Sequence, residues 1–207
     1  MNGPVVIACP NLSLDRTMLV DRVSTGAVHR SSRTDVRGGG KGVNVARALA
    51  RMGVRHTLVG GFAAGHTGDA VLGLLRDEGI ETLATPCPGE TRSCLSVVAE
   101  GTVTVFNEEG PPVDQDRWRA YEESLLAMLL PDSVFVCSGS FPPGAPAEGV
   151  ARLLSAAREA GCATVCDTSR EHLAAALDSR PDLIKPNLPE AEALLGGRFR
   201  EPVDSGG

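Results

Sequence analysis

SVFVCSGSFPPGAPAEGVARLLSAAREAGCATVCDTSREHLAAALDSRPDLIKPNLPEAEALL, residues 133–195, alternates short apolar runs with one-faced amphipathic ones. Val134–Cys137, Ala163–Cys166 and Leu183–Ile184 read as strands, and Pro146–Ala160, Glu171–Leu177 and Pro189–Leu195 as helices. In the first of these helices Val150, Leu153, Leu154 and Ala157 share a face, and Pro146 suits the first turn, where its missing N–H is not needed. Apolar strands separated by such helices give the βαβ rhythm of a parallel sheet covered by helices. Ligands of open parallel sheets bind beyond the carboxyl ends of the strands. Those ends carry Ser138-Gly139-Ser140, Asp167-Thr168-Ser169 and Lys185-Pro186-Asn187. Such residues serve either as helix caps and turns or as a site.

The N-terminal half begins with Val5–Cys9 as a buried strand, followed by Asn11 and Asp15. Gly38-Gly39-Gly40 breaks the chain. Val45, Leu49 and Met52 then mark the buried face of a helix that stops at Gly53. His56–Gly60 reads as a strand and Thr67–Glu78 as a helix capped by Thr67. Trp118, Tyr121, Leu125 and Leu129 give a further helical stripe. Two β-rich regions interrupt this rhythm: Thr17–Val20 with Val28–Val36, and Ser93–Ala99 with Thr102–Phe106 around Glu100-Gly101. They predict a separate small sheet, placed as a lid over the ligand edge. The expected fold is therefore an α/β parallel sheet with helices over residues 1–10, 38–90 and 111–207, and a β-sheet lid over 11–37 and 91–110.

Composition narrows the function. With 207 residues, 42% of them hydrophobic, the chain can build a sizeable core. A net charge of −6 argues against nucleic-acid binding by phosphate neutralisation, yet leaves room for a small anion held by local positive charge. No apolar run approaches the ~20 residues that span a bilayer. MNGPVVIACP lacks a basic leader and reads as a strand rather than a signal peptide. The six cysteines show neither C-x-x-C nor zinc spacing, as expected of free thiols in a reducing cytoplasm. Of 20 basic residues the only lysines are Lys41 and Lys185. Each stands in a Gly- or Asn-bearing motif, where a compact ammonium is useful.

GGGKGVNVARALARMG, residues 38–53, is the sharpest chemical signal. Glycines before a helix let backbone approach a ligand, and the helix start offers amides and partial positive charge. Lys41 adds a full charge, Asn44 presents an amide one turn on, and Arg30, Arg33 and Arg37 lie just upstream. The segment is not a Walker A loop, because Gly42 follows the lysine and Asp35 stands six residues before it. Nor is it G-x-G-x-x-G, because Val43 occupies the last glycine position. A substrate anion rather than a nucleotide is the expected ligand here.

NLSLDRT (11–17), VHRSSRTDVRGGGKGVNVARALARMG (28–53), ETRSCLSVVAEGTVTVFNEEGPPV (90–113), SGSFPPG (138–144), CDTS (166–169) and LIKPNLPEAEALLG (183–196) together resemble the phosphofructokinase-B branch of the ribokinase-like kinases, in order and spacing. The resemblance implies ATP and Mg²⁺ as cofactors and a hexose phosphate as substrate, fructose 1-phosphate foremost, with tagatose 6-phosphate and fructose 6-phosphate as neighbours. It implies that Asp15, Gly39, Gly40 and Asn44 hold sugar hydroxyls, that Lys41 and Arg92 bind the existing phosphate, and that Ser138 lines the same cleft. Lys185 is implied to reach the nucleotide phosphates, and Asn187 and Glu190 to match an Asn-x-x-Glu element tied to Mg²⁺ and phosphate placement. A homodimer through the lid is implied as well. Cys94 stands where such kinases carry a polar residue, and Arg170 where they carry glycine. The family's Gly-Ala-Gly-Asp element, with its catalytic aspartate, does not follow Glu190. Asp204, before Ser-Gly-Gly, is no substitute. The expectation is a chain with the positioning half of a sugar-phosphate kinase, truncated before the catalytic base, or else a sugar-phosphate-binding fragment without turnover.

Overall fold

The computed structural model describes residues 3–197; Asp204 lies outside them. Six parallel strands form the main sheet: β1 (Val5–Asn11), β4 (Thr57–Ala63), β5 (Glu81–Pro86), β8 (Val134–Ser138), β9 (Ala163–Asp167) and β10 (Leu183–Ile184), in the order β10-β9-β8-β1-β4-β5. β2 (Ser13–Leu19), β3 (Arg33–Gly39), β6 (Arg92–Ala99) and β7 (Thr102–Asn107) form a second sheet in the order β3-β2-β6-β7. The helices are α1 (Lys41–Arg51), α2 (Gly65–Asp77), α3 (Gln115–Leu126), α4 (Gly149–Glu159), α5 (Arg170–Asp178) and α6 (Leu188–Leu195).

β1 shows why the main sheet is covered on both faces. Its side chains alternate with the period-2 pleat. Val5, Ile7 and Cys9 join the cluster with Val43, Ala46, Val71 and Leu75, from α1 and α2. Val6 and Ala8 join the opposite cluster with Trp118, Tyr121, Leu125, Leu153 and Leu154, from α3 and α4. The Tyr121 hydroxyl donates to the Gly60 carbonyl at 3.2 Å, so this buried phenol is satisfied. β2 starts just after β1 ends, and α1 starts just after β3 ends. The first crossing into the small sheet and the first return from it therefore both lie at the carboxyl edge of β1.

Several element boundaries differ from the sequence reading. α1 rests on the sheet through Gly42, Val43 and Ala46, while Met52 is 77% exposed. Small residues win because the helix start approaches Cys9 and Ile7 too closely for larger ones. Gly38 and Gly39 do not break the chain but continue β3, paired with Leu14 and Ser13. α2 begins at Gly65 with Ala64 as its N-cap, and Thr67 is not its cap. The Glu90 carboxylate instead accepts from the His66 and Thr67 amides, at 3.3 and 2.9 Å. Thr91 follows Glu90 and its hydroxyl accepts from the Ala64 amide, a long-range cap with no local signature. α4 starts at Gly149 rather than Pro146, and Leu129 lies past the end of α3. The Glu100-Gly101 turn does join β6 to β7, with φ of 49° and 75°, as a tight hairpin requires.

Candidate functional site

Gly40 sets the geometry of the α1 start. It has φ 122° and ψ 147°, a backbone region open essentially to glycine alone. A Cβ there would come 2.8 Å from Cys9 Sγ. No side-chain hydrogen bond caps the helix. The Cys9 thiol lies beneath the Gly42 and Val43 amides. Burial pushes its pKa up, and those amides pull it back less strongly. The helix start thus keeps its positive end toward the carboxyl edge of the sheet, with Lys41 at its first position.

Lys41 and Lys185 meet on one carboxylate. Lys41 Nζ lies 3.3 Å from Asp167 Oδ1 and Lys185 Nζ 3.2 Å from Asp167 Oδ2. Asp167 ends β9 and is in register with Ser138 at the end of β8. Gly139, just beyond, donates its amide to the Asp167 carbonyl at 3.0 Å, and Thr168 Oγ1 donates to the Gly139 carbonyl at 2.8 Å. Lys185 is held alongside by its own amide, which donates to the Cys166 carbonyl at 2.9 Å. Sequence reasoning left Asp167 open as a cap or a site residue and did not find this pairing.

Asp15 and Asn44 face each other across a cavity of about 520 Å³ between the small sheet and α1, lined also by Thr17, Arg37 and Arg51. Ser13 Oγ donates to Asp15 Oδ1 at 2.6 Å. The Asp15 carboxyl lies over Gly39, where a Cβ would collide with it. Asn44 Oδ1 accepts from Arg47 Nη1 at 2.9 Å, which leaves the Asn44 amide nitrogen as donor to the cavity. Arg47 is itself fixed by two bonds to Glu78, at 2.6 and 2.8 Å, and one to the Gly38 carbonyl. Arg47 lowers the Glu78 pKa through the hydrogen bond first, burial opposing it.

Arg92 reaches the α1 start from the small sheet: the Asn11 carbonyl it binds would lie 3.8 Å from a Gly40 Cβ. Its Nε and Nη2 donate to the Asn11 carbonyl at 3.2 and 3.1 Å, and it lines a second cavity of about 450 Å³ with Ser140, Phe141 and Glu171. Asn11 Nδ2 donates to the Glu109 carbonyl and to Ser140 Oγ, at 2.9 and 3.2 Å, which ties β1 to both neighbouring loops. Two buried polar atoms at strand ends, Asn11 Oδ1 and Ser138 Oγ, have no partner among the described residues. Asn187 and Glu190 form a capping box on α6: the Glu190 amide donates to Asn187 Oδ1 and the Asn187 amide to Glu190 Oε2, each at 2.9 Å. Lys41, Lys185, Asp167 and Ser138 thus gather at the β8–β9 edge, Asp15, Gly39 and Asn44 across α1, and Arg92 at Asn11. No group of three or more His, Cys, Asp or Glu among the described residues could hold a metal ion by itself.

Comparisons with known proteins bear on this arrangement. The tagatose-6-phosphate kinase of Staphylococcus epidermidis is 32% identical over 195 residues, covering 93% of this chain and 63% of the relative. The 1-phosphofructokinase of Bacillus subtilis is 32% identical over 186 residues, covering 90% and 60% respectively. The structure of phosphofructokinase-2 from Escherichia coli in complex with fructose-6-phosphate superposes with a TM-score of 0.90 at 30% identity, covering 97% of this chain and 66% of that one. The chain therefore spans less than two thirds of the length of these relatives, and its fold is the ribokinase-like one with a second small sheet. The family model for pfkB family carbohydrate kinases matches residues 10–203, and the chain belongs to that family.

Proposed function

We propose that these residues supply the positioning half of an ATP-dependent hexose-phosphate kinase, with fructose 1-phosphate as the foremost substrate and tagatose 6-phosphate or fructose 6-phosphate as neighbours. The observation that carries this reading is Lys41 on the uncapped start of α1, at the same strand edge as Lys185. One lysine is assigned to the phosphate already on the sugar, the other to the phosphates of ATP. Asp15 accepts from sugar hydroxyls and Asn44 donates to them, with Gly39 and Gly40 letting the sugar approach the backbone. Arg92 is assigned to the sugar phosphate through Nη1, which its bonds to Asn11 leave open. Ser138 lines the same edge with its unpartnered hydroxyl.

Phosphoryl transfer needs positioning, charge neutralisation and a base for the attacking hydroxyl. Mg²⁺ would supply charge neutralisation on the nucleotide phosphates, and such a metal needs as little as one protein carboxylate. Glu190 fits that limited role indirectly, since only its Oε2 is used in the capping box. Of the described residues we assign 3–11, 40–90 and 111–197 to the core and 12–39 and 91–110 to the lid. The expected boundaries at 10/11 and 37/38 thus move to 11/12 and 39/40, because Asn11 ends β1 and Gly38 and Gly39 end β3. The lid bears exposed apolar side chains on both faces, Leu19, Val103 and Val105 on one and Val36 and Phe106 on the other. A second copy of the chain covering one face is the proposed partner. The six unpaired thiols fit a cytoplasmic location.

Calorimetry of the chain with fructose 1-phosphate and with fructose tests the reading. A hydrogen bond to a charged group contributes about 1.5–3 kcal/mol, and giving up the half-exposed Asp167 pair offsets about 0.2–1 kcal/mol of it. Lys41→Ala should then weaken fructose 1-phosphate binding about 2- to 100-fold and leave fructose little changed. Equal binding of the two sugars refutes the assignment. A second reading, binding without turnover, is favoured for residues 1–207 because they contain no Gly-Ala-Gly-Asp element. Absence of a general base costs about 10²–10⁴-fold in rate. An ADP-release assay with fructose 1-phosphate should show negligible turnover, and a rate near 1 s⁻¹, at the low end of typical enzyme values, would sink that reading.

A further inference from the structure

Asp167 is a single negative charge between the chain's two ammonium groups, with one carboxylate oxygen for each. The three groups differ in freedom. The Asp167 side chain is only 14% exposed and sits on a strand end braced by Gly139 and Thr168, whereas the lysine side chains are 52% and 72% exposed. The Lys41 stem passes over Gly139, where even a Cβ would lie 3.5 Å from Lys41 Cβ. The carboxylate is therefore the fixed member and the lysines the movable ones.

We propose that Asp167 is a shared counter-ion, a positioning residue that couples the two lysines, so that an anion engaging one changes the affinity of the other. The proposal rests on the reading of Lys41 and Lys185 as the phosphate-binding residues. An anion that draws Lys41 away leaves the whole carboxylate to Lys185. That pair strengthens, and Lys185 becomes harder to recruit. Linkage makes the effect reciprocal. Without metal, the sugar phosphate and the nucleotide oppose each other through Asp167. Asp167 also competes with each anion, so removing its charge tightens anion binding, the reverse of the usual effect of a substitution inside a binding site.

Two lysines in 207 residues make the test direct. A chain labelled with [¹³Cε]lysine gives two side-chain signals, assigned with Lys41→Met and Lys185→Met. In the ligand-free chain, Asp167→Asn should move both signals, and Lys185→Met should move that of Lys41. Asp167→Glu, which keeps the charge, should bring both back toward their original positions, as a merely structural change would not. If Asp167→Asn fails to fold, the Lys185→Met effect on Lys41 decides the same point. A Lys41 signal unmoved by Lys185→Met overturns the shared counter-ion. In metal-free titrations with fructose 1-phosphate and ADP, saturation with one ligand should weaken the other in the wild-type chain. Asp167→Asn should bind fructose 1-phosphate about 1.4- to fivefold tighter, the range for a partly exposed ion pair, and show less antagonism. Unchanged or weaker binding in Asp167→Asn overturns the coupling alone. A wild-type chain that binds neither ligand overturns both the coupling and the kinase reading.

Discussion

Gly40→Ala tests whether the α1 start is built by close approach to β1. Two costs arise independently. At φ 122° and ψ 147° an alanine is strained by about 1–3 kcal/mol. Its Cβ would lie 2.8 Å from the buried Cys9 Sγ, and overpacking of that kind costs about 1–3 kcal/mol. Together they predict a loss of about 2–6 kcal/mol, or roughly 4–24 °C in melting temperature at about 2–4 °C per kcal/mol for a chain of this size. Cys9→Ala separates the two. It removes the sulfur but not the backbone strain, so the double mutant should recover about 1–3 kcal/mol relative to additivity. Gly42→Ala is the control: its Cβ would meet Cys9 Cβ at 2.6 Å and Ile7 Cγ2 at 2.8 Å, which Cys9→Ala leaves in place, and Cys9 Sγ only at 3.1 Å, so Cys9→Ala should rescue it less. Calorimetric melting of the wild type, the three single variants and the two doubles with Cys9→Ala gives both cycles. A Gly40→Ala chain that melts with the wild type, or Cys9→Ala rescue of Gly42→Ala as large as that of Gly40→Ala, would show that the sulfur contact does not shape the helix start.

Two further outcomes follow from the same geometry. Arg47 holds the Glu78 carboxyl below its ordinary value of 4.5, so this pair's stabilisation is fully present above that pH and is lost as pH falls through the lower folded value; Glu78→Gln should be less stable near neutrality and flatten the acid limb of stability against pH, and an unchanged acid limb contradicts the assignment. Phe106, 59% exposed on β7, lies on one of the two apolar lid faces; the wild-type chain should self-associate in sedimentation velocity at high concentration and Phe106→Glu should weaken this, whereas a wild-type monomer throughout argues against pairing through the lid.

Five of the six main-sheet strands were readable in the sequence because they are apolar runs and the helices between them have one apolar face, both strong local signals, whereas β5, ETLATP, carries no such run and was not read. β8, β9 and β10 lie at or within a residue of their expected places. Boundaries controlled by distant residues were not readable. α2 is capped by Glu90 and Thr91, beyond the following strand, and nothing near Thr67 announces it. The buried face of α1 was only partly legible for a related reason. Val45 and Leu49 do pack against the core, but periodicity also weighted the exposed Met52 and gave no sign of the small residues, Gly42 and Ala46, that the close approach to Cys9 and Ile7 selects. In the lid, Thr17–Val20 and Val28–Val36 shifted to Ser13–Leu19 and Arg33–Gly39. The pairing of β2 between β3 and β6 fixes that register, and β-propensity alone does not.

The same division runs through the candidate site. Lys41 and Lys185 stood out because lysine is so scarce in this chain, a signal that needs no structure. Asp167 did not, because an aspartate after a strand is also a favoured helix cap. Its meaning depends on two placements that sequence spacing cannot supply. β8 lies between β1 and β9, so the helix leaving the small sheet starts near the β9 end, and β10 pairs with β9, so Lys185 arrives beside Cys166. Moving β10 to the other edge of the sheet, beside β5, would preserve every local motif yet separate the lysines. The ion-pair cluster is therefore a property of strand order, and a substitution that displaced β10 without touching Lys41, Asp167 or Lys185 should release the Lys185 contact alone.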